Sequence, residues 1–308
     1  MHTRSELEAF ATRTAFARPA AVVAALLLVL WACSAQKAAR PEPLRTGIAA
    51  FDTVDPLAHL DRIAALGFAY IEPALSKLAA LPDAEIDAVR ARVAASRLRA
   101  EAMNWFLPPD LLITGPAVDD ARIESYLERA LPIAASFGTR VIVFGSPKSR
   151  TIPDGFPRDR AQQQLVAFLR RCADVIERHR FDLTICIEAL RRPETNVLNS
   201  VREAMQLARD VDRPQVRIVV DFYHLAFENE DPAVVREAAP WIAHLQIADP
   251  RERGYPRSED GEPRYAQFFD ALAEVGYRGR ISIEAISQEF DADAAAGRSF
   301  LRRVARVK

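Results

Sequence analysis

The stretch 183–224, LTICIEALRRPETNVLNSVREAMQLARDVDRPQVRIVVDFYH, carries the reading of the fold. It opens on a β-rich apolar run, Leu183 to Glu188, and closes on a second, Val216 to Asp221, each ending in a carboxylate with a stretch of helical texture between them. Two strands bracketing a helix make a βαβ unit, in which the strands run parallel. Outward from this unit the alternation repeats. Further β-rich runs occur at Gly47 to Phe51, Phe68 to Glu72, Leu98 to Met103 and Arg140 to Gly145 upstream, and at Ile242 to Ile247 and Ile281 to Ala285 downstream. Between them apolar residues fall at helical spacing, as in Ile123, Leu127, Ala130, Leu131 and Ala134, or Leu165, Phe168, Leu169 and Cys172. Eight such units in a segment near the ~250 residues typical of the fold predict an α/β chain closed into a (β/α)8 TIM barrel. A doubly wound open sheet competes, but it usually carries a glycine-rich phosphate turn after its first strand. None follows Phe51 in this chain of 11 glycines.

Composition bounds the rest. The 308 residues are 50% hydrophobic and 27% charged, enough to bury one large core, so residues 45–308 are expected to form a single domain. With 41 basic against 42 acidic residues and a net charge of -1, the chain lacks the basic footprint that phosphate binding leaves, which argues against a nucleic-acid partner. Residues 1–33 read differently. Arg4, Arg13 and Arg18 precede an apolar run from Ala20 to Trp31, shorter than the ~20 apolar residues that cross a bilayer and suited to a secretory signal. It ends Leu30-Trp31-Ala32-Cys33, which resembles a bacterial lipobox and makes Cys33 a candidate for lipidation, although Trp31 is unusual there. Residues 34–44 then form a polar linker. The expectation is an exported protein held at the cell envelope, on the periplasmic face as a lipoprotein, with simple secretion or a retained N-terminal helix as alternatives. Membrane contact is expected only through this segment, and homo-oligomer formation stays open. Cys172 and Cys186 lack metal or disulfide spacing and are expected to pack in the core.

In TIM barrels chemistry gathers at the C-terminal mouth. Strand five ends Ile185-Cys186-Ile187-Glu188, strand six Val219-Val220-Asp221, strand seven contains His244-Leu245-Gln246, and strand eight ends Ser282-Ile283-Glu284. Period-two alternation puts Glu188 with Cys186, Asp221 with Val219, Gln246 with His244 and Glu284 with Ser282 on one face of each strand. If that face is the interior, three carboxylates and an amide converge. Crowded carboxylates repel unless one stays protonated or a cation joins them. A single Glu after a strand is usually a cap or a solvated loop end; four such residues on four successive strands point to a site.

These residues carry a resemblance. From about Thr46 onward the chain resembles the xylose-isomerase-like sugar isomerases and epimerases, most closely the hydroxypyruvate-isomerase-like branch. The likeness rests on Glu188 with Glu194-Thr195-Asn196, on Asp221-Phe222-Tyr223-His224, and on His244 to Asp249 leading to Arg253 and Pro256. Gly261-Glu262, Tyr265 and Gly276 to Arg280 before Glu284 extend it. So do Ala102-Met103-Asn104, Phe144-Gly145-Ser146, Arg150 and Pro153-Asp154-Gly155. The resemblance implies that Glu188, Asp221, Gln246 and Glu284 ligate one divalent metal. Many relatives have His where this chain has Gln246, and the hydroxypyruvate-isomerase-like branch has Gln. A donor set without imidazole or thiolate favours Mn²⁺ or Mg²⁺ over Zn²⁺, with Co²⁺ as a laboratory substitute.

The same resemblance makes His224 and Arg253 substrate-binding, and Glu194 a residue that orients His224 or a substrate hydroxyl. His244 and Glu72 are further candidates for the mouth, each weighed against a role in the core. Glu188 and Glu284 are the expected catalytic pair. One removes the proton next to a carbonyl and the other returns it, through an enediolate that the metal stabilises. The substrate expected is a free or oxidised sugar or a small hydroxy-carbonyl compound. A metal-dependent lyase or dehydratase acting on keto-sugars, and a non-catalytic sugar-binding envelope lipoprotein, are the alternatives. A related endonuclease uses this barrel with three zinc ions and many histidines; this chain has five.

Overall fold

Eight parallel strands close on one another in the computed structural model, which describes residues 44–305. The expected export segment, Cys33 and most of the expected linker lie outside the described residues. The strands are β1 (Arg45–Ala49), β2 (Tyr70–Glu72), β3 (Ala102–Met103), β4 (Val141–Phe144), β5 (Thr184–Glu188), β6 (Val216–Asp221), β7 (Ile242–Ile247) and β8 (Arg280–Ile283). All pair in parallel, in the order β2-β1-β8-β7-β6-β5-β4-β3. The seam between β2 and β3 is thinner. It is closed by Ile71 N–H donating to the Arg99 carbonyl at 2.9 Å, by a bridge between Ala74 and Asn104, and by Leu75 N–H donating to the Asn104 carbonyl at 2.9 Å. The eight-stranded TIM barrel read from the sequence is the fold observed.

The strand pleat sorts side chains into two layers. Ile185, Ile187, Ile218, Val220, Leu245, Ile247, Ile281 and Ile283 face outward into a continuous core with the helices. That core takes in the predicted stripes Ile123, Leu127, Ala130 and Leu131, and Leu165, Phe168, Leu169 and Cys172, from the helices Asp120–Ser136 and Arg158–His179. Tyr70, Ala102, Val141, Val143, Cys186 and Val219 pack together in the barrel interior. Cys172 and Cys186 are both free and buried, as packing residues should be. Gly47 is needed here, because a Cβ at that position would collide with the Tyr70 ring.

Several boundaries differ from the sequence reading: β2, β3, β4 and β5 start one to four residues later than expected, and the differences at β1 and β8 bear on the site. β1 begins two residues early and stops at Ala49, because Phe51 turns back to pair with Val54 through bonds of 3.0 and 2.8 Å. β8 stops at Ile283, one residue before Glu284, whose N–H still donates to the Ile247 carbonyl at 3.1 Å.

Candidate active site and metal centre

Cys186 and Val219 point into the barrel, so two residues further on Glu188 and Asp221 do as well. Asp221 also starts the helix Phe222–Phe227: its Oδ1 accepts the Tyr223 N–H at 2.7 Å, a capping bond that holds the carboxylate at the mouth and leaves Oδ2 free. Glu188 is fixed through its backbone. The fully buried Arg150 guanidinium donates to the Glu188 carbonyl at 2.7 Å and to the Phe144 carbonyl at 3.0 Å, tying β5 to β4. Gly145 makes room for the Glu188 side chain, since any Cβ there would overlap Glu188 Oε2.

Glu284 lies against Asn104 and Arg253. Asn104 Nδ2 donates to Glu284 Oε1 at 2.8 Å and to the Ala50 carbonyl at 2.7 Å; Arg253 NH2 donates to Glu284 Oε2 at 2.8 Å. Arg253 also donates to Glu194 at 2.9 Å and packs against the rings of Phe51 and Tyr223, 3.8 and 4.5 Å from their centroids. Glu194 is shared with Arg191 at 2.7 Å. Gln246 Nε2 donates to Glu72 Oε1 at 2.8 Å, which turns the amide so that its Oε1 has no hydrogen-bond partner. Glu188 Oε1 is likewise buried and unpartnered.

The imidazole Nδ1 of His224 accepts the Arg191 N–H at 3.1 Å, so the neutral ring carries its proton on Nε2. That nitrogen lies 3.5 Å from Glu188 Oε1 and 3.7 Å from Asp221 Oδ2. Ligand atoms of Glu188, Asp221 and His224 all fall within 4.8 Å of one another. A protonated Nε2 has no lone pair for a metal, so the third member of that trio is a hydrogen-bond donor and the amide oxygen of Gln246 is the better oxygen ligand.

The electrostatics fit a cation. Burial, then the charges of Glu284 and Asp221, pushes the Glu188 carboxyl well above the usual carboxylate range. Burial and the Glu284 charge raise Asp221 to about 7, and burial raises Glu284. Burial and the nearby Arg253 hold His224 well below its ordinary value, hence neutral. Arg253 compensates Glu284, which leaves Glu188 and Asp221 as two buried carboxylates without a cationic partner at bonding distance among the described residues. One divalent ion would supply the missing charge and could take up the free oxygens of Glu188, Asp221 and Gln246.

A cavity of about 320 Å³ opens above this cluster, within the range of small-molecule sites, lined in part by Phe51, Trp105, Glu188, Glu194, Arg253 and Glu284. Of the residues singled out in the sequence, Glu188, Glu194, Arg253 and Glu284 line it, while Asp221, His224 and Gln246 are buried within the barrel end. The structure puts Glu72 and His244 elsewhere. Both are completely buried and bonded to each other at 2.8 Å, and neither lines the cavity. Asn104 was missed as a site residue. It ends β3 at the height where the acids end β5 to β8, and the strand-end rule applied to amides as well as acids finds it.

A family model described as "Xylose isomerase-like TIM barrel" matches residues 60–304. Among curated proteins, a 2-oxo-tetronate isomerase of Pectobacterium atrosepticum is 34% identical over 172 residues, which is 54% of this chain and 62% of that protein. A ketose 3-epimerase of Arthrobacter globiformis is 28% identical over 185 residues, 58% of this chain and 60% of that one. The chain thus spans about three fifths of the length of these relatives. The crystal structure of a D-allulose 3-epimerase from Methylomonas sp. superposes with a TM-score of 0.74 at 22% identity, covering 86% of this chain and 99% of that one. That of a 3-keto-D-glucoside 4-epimerase from E. coli gives 0.69 at 21% identity, covering 84% and 99%. At these identities the structural likeness is one of fold.

Proposed function

The chain belongs to the xylose isomerase-like TIM barrel family, and on that premise we propose that it is a divalent-metal-dependent sugar isomerase or epimerase that moves a proton on carbon next to a carbonyl. The observation that carries this reading is the pair of buried, unpartnered oxygens, Glu188 Oε1 and Gln246 Oε1, among carboxylates whose protons burial holds on. The isomerase and epimerase relatives support it.

Glu188, Asp221, Gln246 and Glu284 would hold the ion, with Mn²⁺ or Mg²⁺ favoured by an all-oxygen donor set. When bound, it would polarise the substrate carbonyl and stabilise the negative charge that develops on the substrate oxygens as the C–H bond breaks. Glu188 and Glu284 stand on β5 and just past β8, one on each side of Asp221 and Gln246 in the strand order. Each can take a carbon-bound proton on a carboxylate oxygen. One removes it and the other returns it, at the neighbouring carbon in isomerisation or on the opposite face in epimerisation. Arg253 offers guanidinium N–H groups and His224 its Nε2–H to substrate oxygens, and Glu194 fixes Arg253 from the far side. Phe51 and Trp105 give the cavity beside these groups its aromatic walls.

The test is metal analysis of purified protein, followed by mass-resolved incubation with sugars and hydroxy-carbonyl compounds in D2O. Glu284→Gln keeps an oxygen ligand but removes an ionisable base, so turnover and deuterium uptake should both fall about 10²- to 10⁴-fold with the fold intact. Uptake at the wild-type rate would sink the two-base reading, and loss of water from substrate would point to a lyase.

We also propose export to the cell envelope with Cys33 acylated, supported by the Arg-flanked apolar run and the sequence Leu30 to Cys33. Cys33→Ser should release the protein from membrane fractions while activity is retained. Unchanged fractionation would rule out the lipid anchor.

A further inference from the structure

Beneath the metal centre a second polar group sits where a barrel interior is ordinarily apolar. Glu72, from the end of β2, is completely buried and accepts from three side chains. Its Oε1 takes the Gln246 amide at 2.8 Å; its Oε2 takes His244 Nε2 at 2.8 Å and the Ser282 hydroxyl, which in turn shares a 2.8 Å bond with the Tyr70 hydroxyl. These partners come from β2, β7 and β8, far apart in sequence. A buried carboxylate is costly unless all its lone pairs are used, so a site that retains one needs a reason.

The reason lies in Gln246. A glutamine has two ends that look alike in shape and opposite in charge: the oxygen attracts a cation and the NH2 group repels it. Nothing else bonds Gln246 Nε2 as closely, its second contact being Glu284 Oε1 at 3.4 Å. Resting on the metal-site reading above, we infer that Glu72 is a positioning residue: its carboxylate, which can only accept, captures the Gln246 NH2 group and thereby aims Oε1 at the cation. Ser282 and His244 hold Glu72 in the rotamer that does this.

The arrangement can be tested by exchanging the two side chains. In Glu72→Gln the new amide either turns its NH2 group to that of Gln246, donor against donor, so that Gln246 must turn its own NH2 group toward the metal, or keeps its oxygen there only if His244 moves its proton to Nδ1 and the Ser282 hydroxyl turns to accept. Loss of such supporting bonds commonly weakens metal binding about 10- to 100-fold. In the double variant Glu72→Gln with Gln246→Glu, the donor at position 72 meets an acceptor at position 246, the charge of the pair is conserved, and a carboxylate has no wrong end. Mn²⁺ affinity, read by titration of the metal-free protein with Mn²⁺ and by the Tm with and without the ion, should fall at least about tenfold in Glu72→Gln and return to within about threefold of wild type in the double variant. Because a carboxylate ligand raises affinity by itself, the control is Gln246→Glu alone, which sets two carboxylates against each other and should bind Mn²⁺ more weakly than the double variant; a role confined to packing predicts that the two bind alike. Glu72→Gln binding Mn²⁺ as wild type does, or a folded double variant that fails to bind it, overturns the inference. If Glu72→Gln does not fold, the double variant against Gln246→Glu decides. Wild-type protein that takes up no divalent ion overturns the metal-site reading itself, and this inference with it.

Discussion

At position 145 the side chain that is missing does the positioning. Glu188 can place its carboxylate beside Asp221 because Gly145 offers no Cβ to collide with Oε2. Gly145→Ala should therefore push Glu188 off the cluster, with Mn²⁺ affinity and turnover each lowered by about 10- to 100-fold and the circular-dichroism spectrum unchanged; wild-type affinity would show that the carboxylate has another place to go. The sequence reading reached the acids themselves because alternation along a strand is arithmetic: Cys186 and Val219 inward means Glu188 and Asp221 inward. It could not reach what each acid bonds to. That Arg253 would pair with Glu284, 31 residues away, or that Glu72 would meet Gln246, 174 residues away, depends on how the ring closes and which rotamers survive.

Among the elements, the strands themselves were legible from their β-branched runs and their boundaries less so. β3 was expected from Leu98 and ladders only at Ala102–Met103, since its neighbour β2 is three residues long and meets it through single bonds. β4 and β5 are joined at their site ends by Arg150, whose planar fork spans two carbonyls. Arg150→Met removes both bonds in a fully buried place and should cost about 2–4 kcal/mol in denaturant unfolding. Arg150→Lys should recover little, because one ammonium cannot reproduce the fork. A midpoint equal to wild type in Arg150→Met would mean that the two carbonyls find other donors.

For the molecule as a whole, the acids of the site link stability to pH and, on the proposed metal-site reading, to a divalent ion. Glu188, Asp221 and Glu284 hold protons more tightly folded than unfolded, so the metal-free protein binds more protons than its unfolded chain from about pH 4 to beyond pH 7. Stability from these groups is full below the unfolded carboxylate pKa and is lost as pH rises through the folded values, at about 1.4 kcal/mol per pH unit for each extra proton. Thermal melts of metal-free protein should accordingly show a falling Tm between pH 5 and 8, and added Mn²⁺ should raise Tm more at pH 8 than at pH 5. A metal-free Tm that climbs across this window would contradict the assignment of these carboxyls as buried and proton-bearing. The thin seam between β2 and β3 has its own consequence. Asn104 bonds across that seam with its backbone and grips Glu284 with its side chain. Where the ring parts first, the proposed base is let go first, so on the proposed function warming should abolish turnover some degrees before the helices melt. On that reading the barrel would act as its own fuse: a molecule that has begun to come apart would stop making product while it can still close again.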